Sequence, residues 1–120
     1  MSNLEANLAQ FIGTENYYKH PFTRTVYTDG VKYLAENAGA YWLIDYIAFK
    51  QIEDGEIFNT DFFQVWSIDA IPELKHSAVI TCTDGDDNLL LKETIEYTDF
   101  PLTHIKLYYQ NNVLFLTSEY

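Results

Sequence analysis

The feature that most restricts this chain is a change of periodicity at Gly55. Before it, apolar residues recur at helical spacing; after it, they alternate or run in short β-rich blocks bounded by turn residues. Leu4, Leu8 and Phe11 form one helical stripe behind a capping box at Ser2-Asn3-Leu4-Glu5, and Gly13 is placed to end that helix. Residues 14–27 read as extended, with His20 pushed out of the α region by Pro21. A second helix is expected from Thr28 or Asp29, with Val31, Leu34 and Ala35 on one face and Gly39 as its stop. A third is expected from Ala40 to about Gln51. It is apolar nearly all round, which signals packing on several sides.

Strands are expected at Phe62–Ile68, Ala78–Thr83, Leu89–Tyr97, Ile105–Tyr109 and Val113–Thr117. The acidic run Asp84-Gly85-Asp86-Asp87-Asn88 reads as one hairpin turn. Asn111-Asn112 reads as another, because asparagine tolerates the positive φ of a tight turn. Helices first and strands second define an α+β fold, with N-terminal helices packed on one face of an antiparallel sheet of about five strands. The chain is a single domain over residues 1–120, with 1–55 mainly helical and 56–120 mainly antiparallel strands.

Charge narrows the partners. Eighteen acids against seven bases give a net charge of −11, which leaves no basic footprint for direct nucleic-acid binding or for an anionic membrane surface. Residues 1–40 sum to −1 and residues 41–120 to −10. Within the second part, Glu53, Asp54, Glu56 and Asp61 precede the first strand, while Asp84, Asp86, Asp87, Glu93, Glu96 and Asp99 gather around the first hairpin. Such clusters on one face steer a basic partner; the plain alternative is a solubilising surface that also guards a sheet edge. The aromatic residues are interleaved with acids, against stacking on single-stranded nucleic acid. Tyr17, Tyr18, Tyr108, Tyr109 and Tyr120 come too densely for all to be buried, and tyrosine is favoured at protein interfaces.

Nothing in the pattern calls for an oxidising compartment or a membrane. Cys82 is the one cysteine and reads as a small buried hydrophobe. The stretch Ala38 to Phe49 is too short and, with Asp45 in its middle, too charged to span a bilayer. The start Met1-Ser2-Asn3-Leu4-Glu5 has neither a basic n-region nor an apolar h-region, so a cytoplasmic protein is expected.

Catalytic, cofactor and metal patterns all fail. The glycines at 13, 30, 39, 55 and 85 are too scattered for a phosphate-binding turn. His20, His76 and His104 read as unrelated surface or turn histidines with no zinc spacing. The acidic hairpin fails as a calcium loop: aligned on Asp84, Asp86 and Asn88, it puts Leu89 where glycine is required and Ile95 where a bidentate glutamate belongs. No catalytic residue, no metal ligand and no cofactor is therefore assigned.

Binding candidates remain. On a helix Asp45 shares a face with Trp42 and Phe49. If buried, it needs Arg24, Lys32 or a tyrosine as partner; if exposed, Trp42 and Asp45 form an aromatic patch beside an acid, as at interface hot spots.

Several ordered segments carry a resemblance. They are Phe11-Ile12-Gly13-Thr14-Glu15, Tyr27-Thr28-Asp29-Gly30-Val31-Lys32-Tyr33-Leu34, Ala38-Gly39-Ala40-Tyr41-Trp42-Leu43-Ile44-Asp45, Gln64-Val65-Trp66, Tyr97-Thr98-Asp99-Phe100-Pro101-Leu102 and Ser118-Glu119-Tyr120. Together they resemble a small bacterial, plasmid- and phage-associated family catalogued as a domain of unknown function. The resemblance implies a single-domain protein, often carried by mobile elements, and brings no activity or site residues with it.

The reading that follows is a non-catalytic acidic interaction protein that docks on a basic protein surface through Asp84, Asp86 and Asp87, as a regulator or inhibitor borne by a mobile element. The alternative is a small-ligand-binding protein or enzyme with a pocket between helices and sheet, lined by Trp42, Asp45, Tyr97 and Asp99. A homodimer closed through its aromatic face is the third.

Overall fold

The computed structural model describes residues 2–53, 63–71, 77–96 and 102–119, without the side chains of residues 2, 3 and 5. The helix α1 (Ser2–Leu8) is followed by two short strands, β1 (Tyr17–Lys19) and β2 (Val26–Thr28), and then by α2 (Asp29–Ala38) and α3 (Tyr41–Glu53). The remaining strands are β3 (Gln64–Ala70), β4 (Ala78–Asp84), β5 (Leu89–Ile95), β6 (His104–Gln110) and β7 (Val113–Leu116), closed by a 3-10 turn over Thr117–Glu119. All the strands join one sheet of seven, in the order β1-β2-β7-β6-β3-β4-β5.

The α+β class holds, but the expected sheet of about five antiparallel strands needs two corrections. Residues 14–27 contribute two strands, and β2 runs parallel to β7 through Val26↔Val113 and Tyr27↔Leu114. Each added strand has only three residues, too few to show an alternation. They are strands because β7, from the far end of the chain, offers its edge.

Helix ends follow local chemistry. Thr28 caps α2 by accepting the Val31 N–H at 3.3 Å, and Gly39 closes it in the left-handed region at φ 60°. Glu119 completes the start of α2 from the C-terminal turn: its carboxylate accepts the Thr28 hydroxyl at 2.6 Å and the Gly30 N–H at 3.2 Å. The first helix stops at Leu8, short of the expected Gly13. Its last carbonyls close onto Gln10 and Phe11 in i to i+3 bonds, and Phe11 leaves the helix to meet the Tyr33 ring at 5.3 Å. The expected Ser2–Glu5 capping box involves side chains outside the described residues.

One sheet face is the core. Trp66 and Ile68 of β3, Ile80 and Cys82 of β4, Leu107 and Tyr109 of β6 and Leu114 of β7 are fully buried there against Leu34, Leu43 and Ile47 of the helices. The alternate residues Val65, Ser67, Thr81, Lys106 and Tyr108 point to the opposite face and stay half-buried or exposed. The buried side of α3 is Leu43, Ile44, Ile47 and Ala48. It leaves Tyr41, Phe49 and Ile52 exposed, so the helix is packed on one side rather than several. No helix among the described residues is long and apolar enough to cross a membrane.

Candidate functional site

The acidic hairpin divides its carboxylates between structure and surface. Asp84, at the end of β4, accepts the Asp86 N–H at 2.8 Å, the Asn88 N–H at 3.0 Å and the Asn88 side-chain amide at 3.0 Å. The Asn88 amide and these two backbone donors hold the Asp84 carboxyl below its ordinary range. Asp87 takes φ 66°, the left-handed conformation the turn demands. The Asp84 side chain therefore ties the turn, while the side chains of Asp86 and Asp87 are exposed and make no hydrogen bond or ion pair among the described residues.

The turn overhangs a groove of about 500 Å³ lined by Asp84 and Asp87 together with Phe63, Val65, Lys106 and Tyr108. The rings of Phe63, Tyr108 and Phe115 lie side by side, the first pair tilted at 4.7 Å between centroids and the second edge-on at 5.8 Å. Carboxylates thus stand next to an aromatic surface on the face opposite the helices. Of the other acids assigned to this cluster, Glu93 and Glu96 belong to β5 and the residue after it, and Asp99 lies outside the described residues, as do Asp54, Glu56 and Asp61. Glu93 faces α3, where it accepts the Tyr46 hydroxyl and pairs with Lys50 at 3.3 Å. The Tyr46 hydroxyl bond, outweighing some desolvation, lowers the Glu93 carboxyl, and burial and the same bond raise the Tyr46 phenol.

Trp42 and Asp45 lie elsewhere, on α3. Trp42 is half-buried against the core. The side chain of Asp45 is 57% exposed, so the partners named for a buried Asp45 are not called for; it binds His20 Nε2 at 2.7 Å. His20, in the connection between β1 and β2, is 1% exposed, so of the expected surface or turn histidine only the surface placement is corrected. His76 is outside the described residues, and His104 is exposed beside Asp69 at 2.5 Å.

The chain of donors fixes the His20 tautomer. Nδ1 accepts the Phe22 N–H at 3.2 Å and faces the Thr23 hydroxyl at 3.1 Å, so Nε2 carries the hydrogen and donates it to Asp45. The ring is further enclosed by Phe49, edge-on at 5.3 Å. His20 N–H also donates to the Thr25 carbonyl at 2.8 Å, and the Thr25 hydroxyl meets the Tyr109 hydroxyl at 2.8 Å. Residues 20–25 are consequently a strap bolted to α3 by Asp45 and to the sheet by Tyr109.

Beside this strap lies a cleft of about 590 Å³, between α3 and the sheet, lined among others by Lys19, Arg24, Thr25, Gln51, Tyr109 and Asn112. Trp42 and Asp45 do not line it, and Tyr97 and Asp99, the other residues expected around such a pocket, are outside the described residues. The sequence reading missed Gln51 and Gln64 as well. Their side-chain amides exchange two bonds of 2.9 Å, and Gln64, fully buried, also accepts the Trp66 indole N–H at 3.0 Å. Among the described residues no group of three or more His, Cys, Asp or Glu comes together as a metal site.

Fold and surface together define a small α+β domain: one helical layer on a seven-stranded mixed sheet, with an acidic hairpin at one edge. The chain belongs to DUF6876, a family of unknown function, whose model matches residues 2–120. No curated protein and no solved structure matches it.

Proposed function

We propose that this protein is a non-catalytic acidic interaction protein that docks on a basic protein surface and regulates or inhibits the protein that carries it. The observation that supports this reading is the pairing of Asp86 and Asp87, exposed on a turn built by Asp84, with the groove holding Phe63 and Tyr108. Carboxylates at a rim set the rate and specificity of encounter, and aromatic surface supplies affinity. A net charge of −11 extends the attraction beyond the contact itself.

The experiment is capture from nuclease-treated lysate on the immobilised chain, compared with the Asp86→Lys/Asp87→Lys variant. A discrete protein held by the unmodified chain, released by salt and lost with the variant, supports the hairpin as the docking element. Equal capture by both chains removes it. The small-ligand reading retains one specific support, the cleft between α3 and the sheet, although its lining differs from the expected Trp42 and Asp45.

A further inference from the structure

The cleft beside the 20–25 strap has a charge opposite to that of the chain around it. Lys19 and Arg24 are two of only seven bases against eighteen acids, yet both line it, and no carboxylate does among the described residues. Both are exposed. The described ion pairs employ His20, Lys50 and His104, and neither Lys19 nor Arg24.

The apolar part is equally local. Phe22 and Ile52, at 78% and 61% exposure, also line the cleft from the strap and from the end of α3. The strap is preorganised, since His20, Thr23 and Thr25 are buried and bonded while Phe22 and Arg24 between them point out. A volume of about 590 Å³ falls in the range of small-molecule sites.

We propose that this cleft binds a small organic anion with an aromatic or apolar body, the anionic group between Lys19 and Arg24 and the body against Phe22 and Ile52. This inference rests on the ligand-binding reading of the cleft and is independent of the acidic hairpin. Guanidinium and ammonium groups recognise carboxylate, sulfonate or phosphate by charge-assisted hydrogen bonds, and a preformed rim spares the cost of ordering.

The test is a pair of fluorescent probes of similar shape, anilinonaphthalene sulfonate and neutral phenylnaphthylamine, titrated into the full chain. The sulfonate should bind saturably, more tightly than the neutral probe, and more weakly as salt rises. Lys19→Gln/Arg24→Gln should weaken the sulfonate by about tenfold, an effect of roughly 1.4 kcal/mol, and leave the neutral probe unchanged. Lys92→Gln, on an exposed lysine of β5 away from both grooves, should change neither, and an unaltered melting temperature confirms that the exposed substitutions preserve the fold. Equal affinity for both probes, or a sulfonate affinity indifferent to the double substitution, overturns the anion inference while leaving a ligand cleft. Binding of neither probe overturns the ligand-binding reading itself.

Discussion

The hydroxyl pair Thr25–Tyr109 joins the strap to the sheet, and its worth can be separated from its surroundings. Thr25 is 1% and Tyr109 0% exposed, and their oxygens are 2.8 Å apart. Burial raises the Tyr109 phenol despite the opposing Thr25 bond, so the phenol keeps its hydrogen at neutral pH. Thr25→Val and Tyr109→Phe each delete one hydroxyl while nearly preserving volume. Either change alone strands the remaining hydroxyl away from water, at a cost of about 1.5 kcal/mol; removing both costs only about 1 kcal/mol, because nothing polar is then left unsatisfied. The double-mutant cycle should give a coupling of about 2 kcal/mol in urea unfolding, with unchanged m-values. A coupling below about 0.5 kcal/mol would refute the claim that this contact holds the strap in place.

Three further outcomes follow from the same geometry. Gly30→Ala puts a Cβ 2.5 Å from Leu116 Cδ1 and 2.7 Å from the Glu119 carboxylate; it should cost about 1–3 kcal/mol by overpacking, read from thermal or urea unfolding. Glu93 has a lowered carboxyl value in the fold, so its contribution is complete above the ordinary value of 4.5 and is lost as pH falls through the lowered one. Stability against pH should therefore decline less steeply in acid for Glu93→Gln than for the unmodified chain. The Cys82 thiol, fully buried and pushed up to about 12, should resist a thiol-specific reagent at pH near 8 until the protein unfolds; rapid labelling of the native chain would contradict its burial.

Legibility in the sequence tracked the range of the interactions involved. The second helix was readable because Thr28 and Gly39 act on their own neighbours, and the Asn111-Asn112 turn for the same reason, with φ of 54° and 66°. The hairpin at Asp84 was readable as a turn, but its division of labour was not, since which carboxylate ties the turn depends on where the N–H groups point. The strands β1 and β2 carry no periodic signal and exist through pairing with β7 and with each other. His20 and Asp45 are 25 residues apart; a histidine before proline signalled an extended backbone and gave no hint of burial. One missed contact had left a trace. Gln64 lies on the same side of the alternation as Trp66 and Ile68, and an amide on a core face requires polar partners there.

The hairpin is the proposed docking element, and backbone amide shift mapping tests that role directly. The labelled chain would be titrated with the captured partner at low salt. Docking through the hairpin should perturb residues 84–88 most and reach Val65 and Lys106 across the groove. Perturbations confined to residues 19–25 and the end of α3 would contradict it, and would place recognition at the cleft instead.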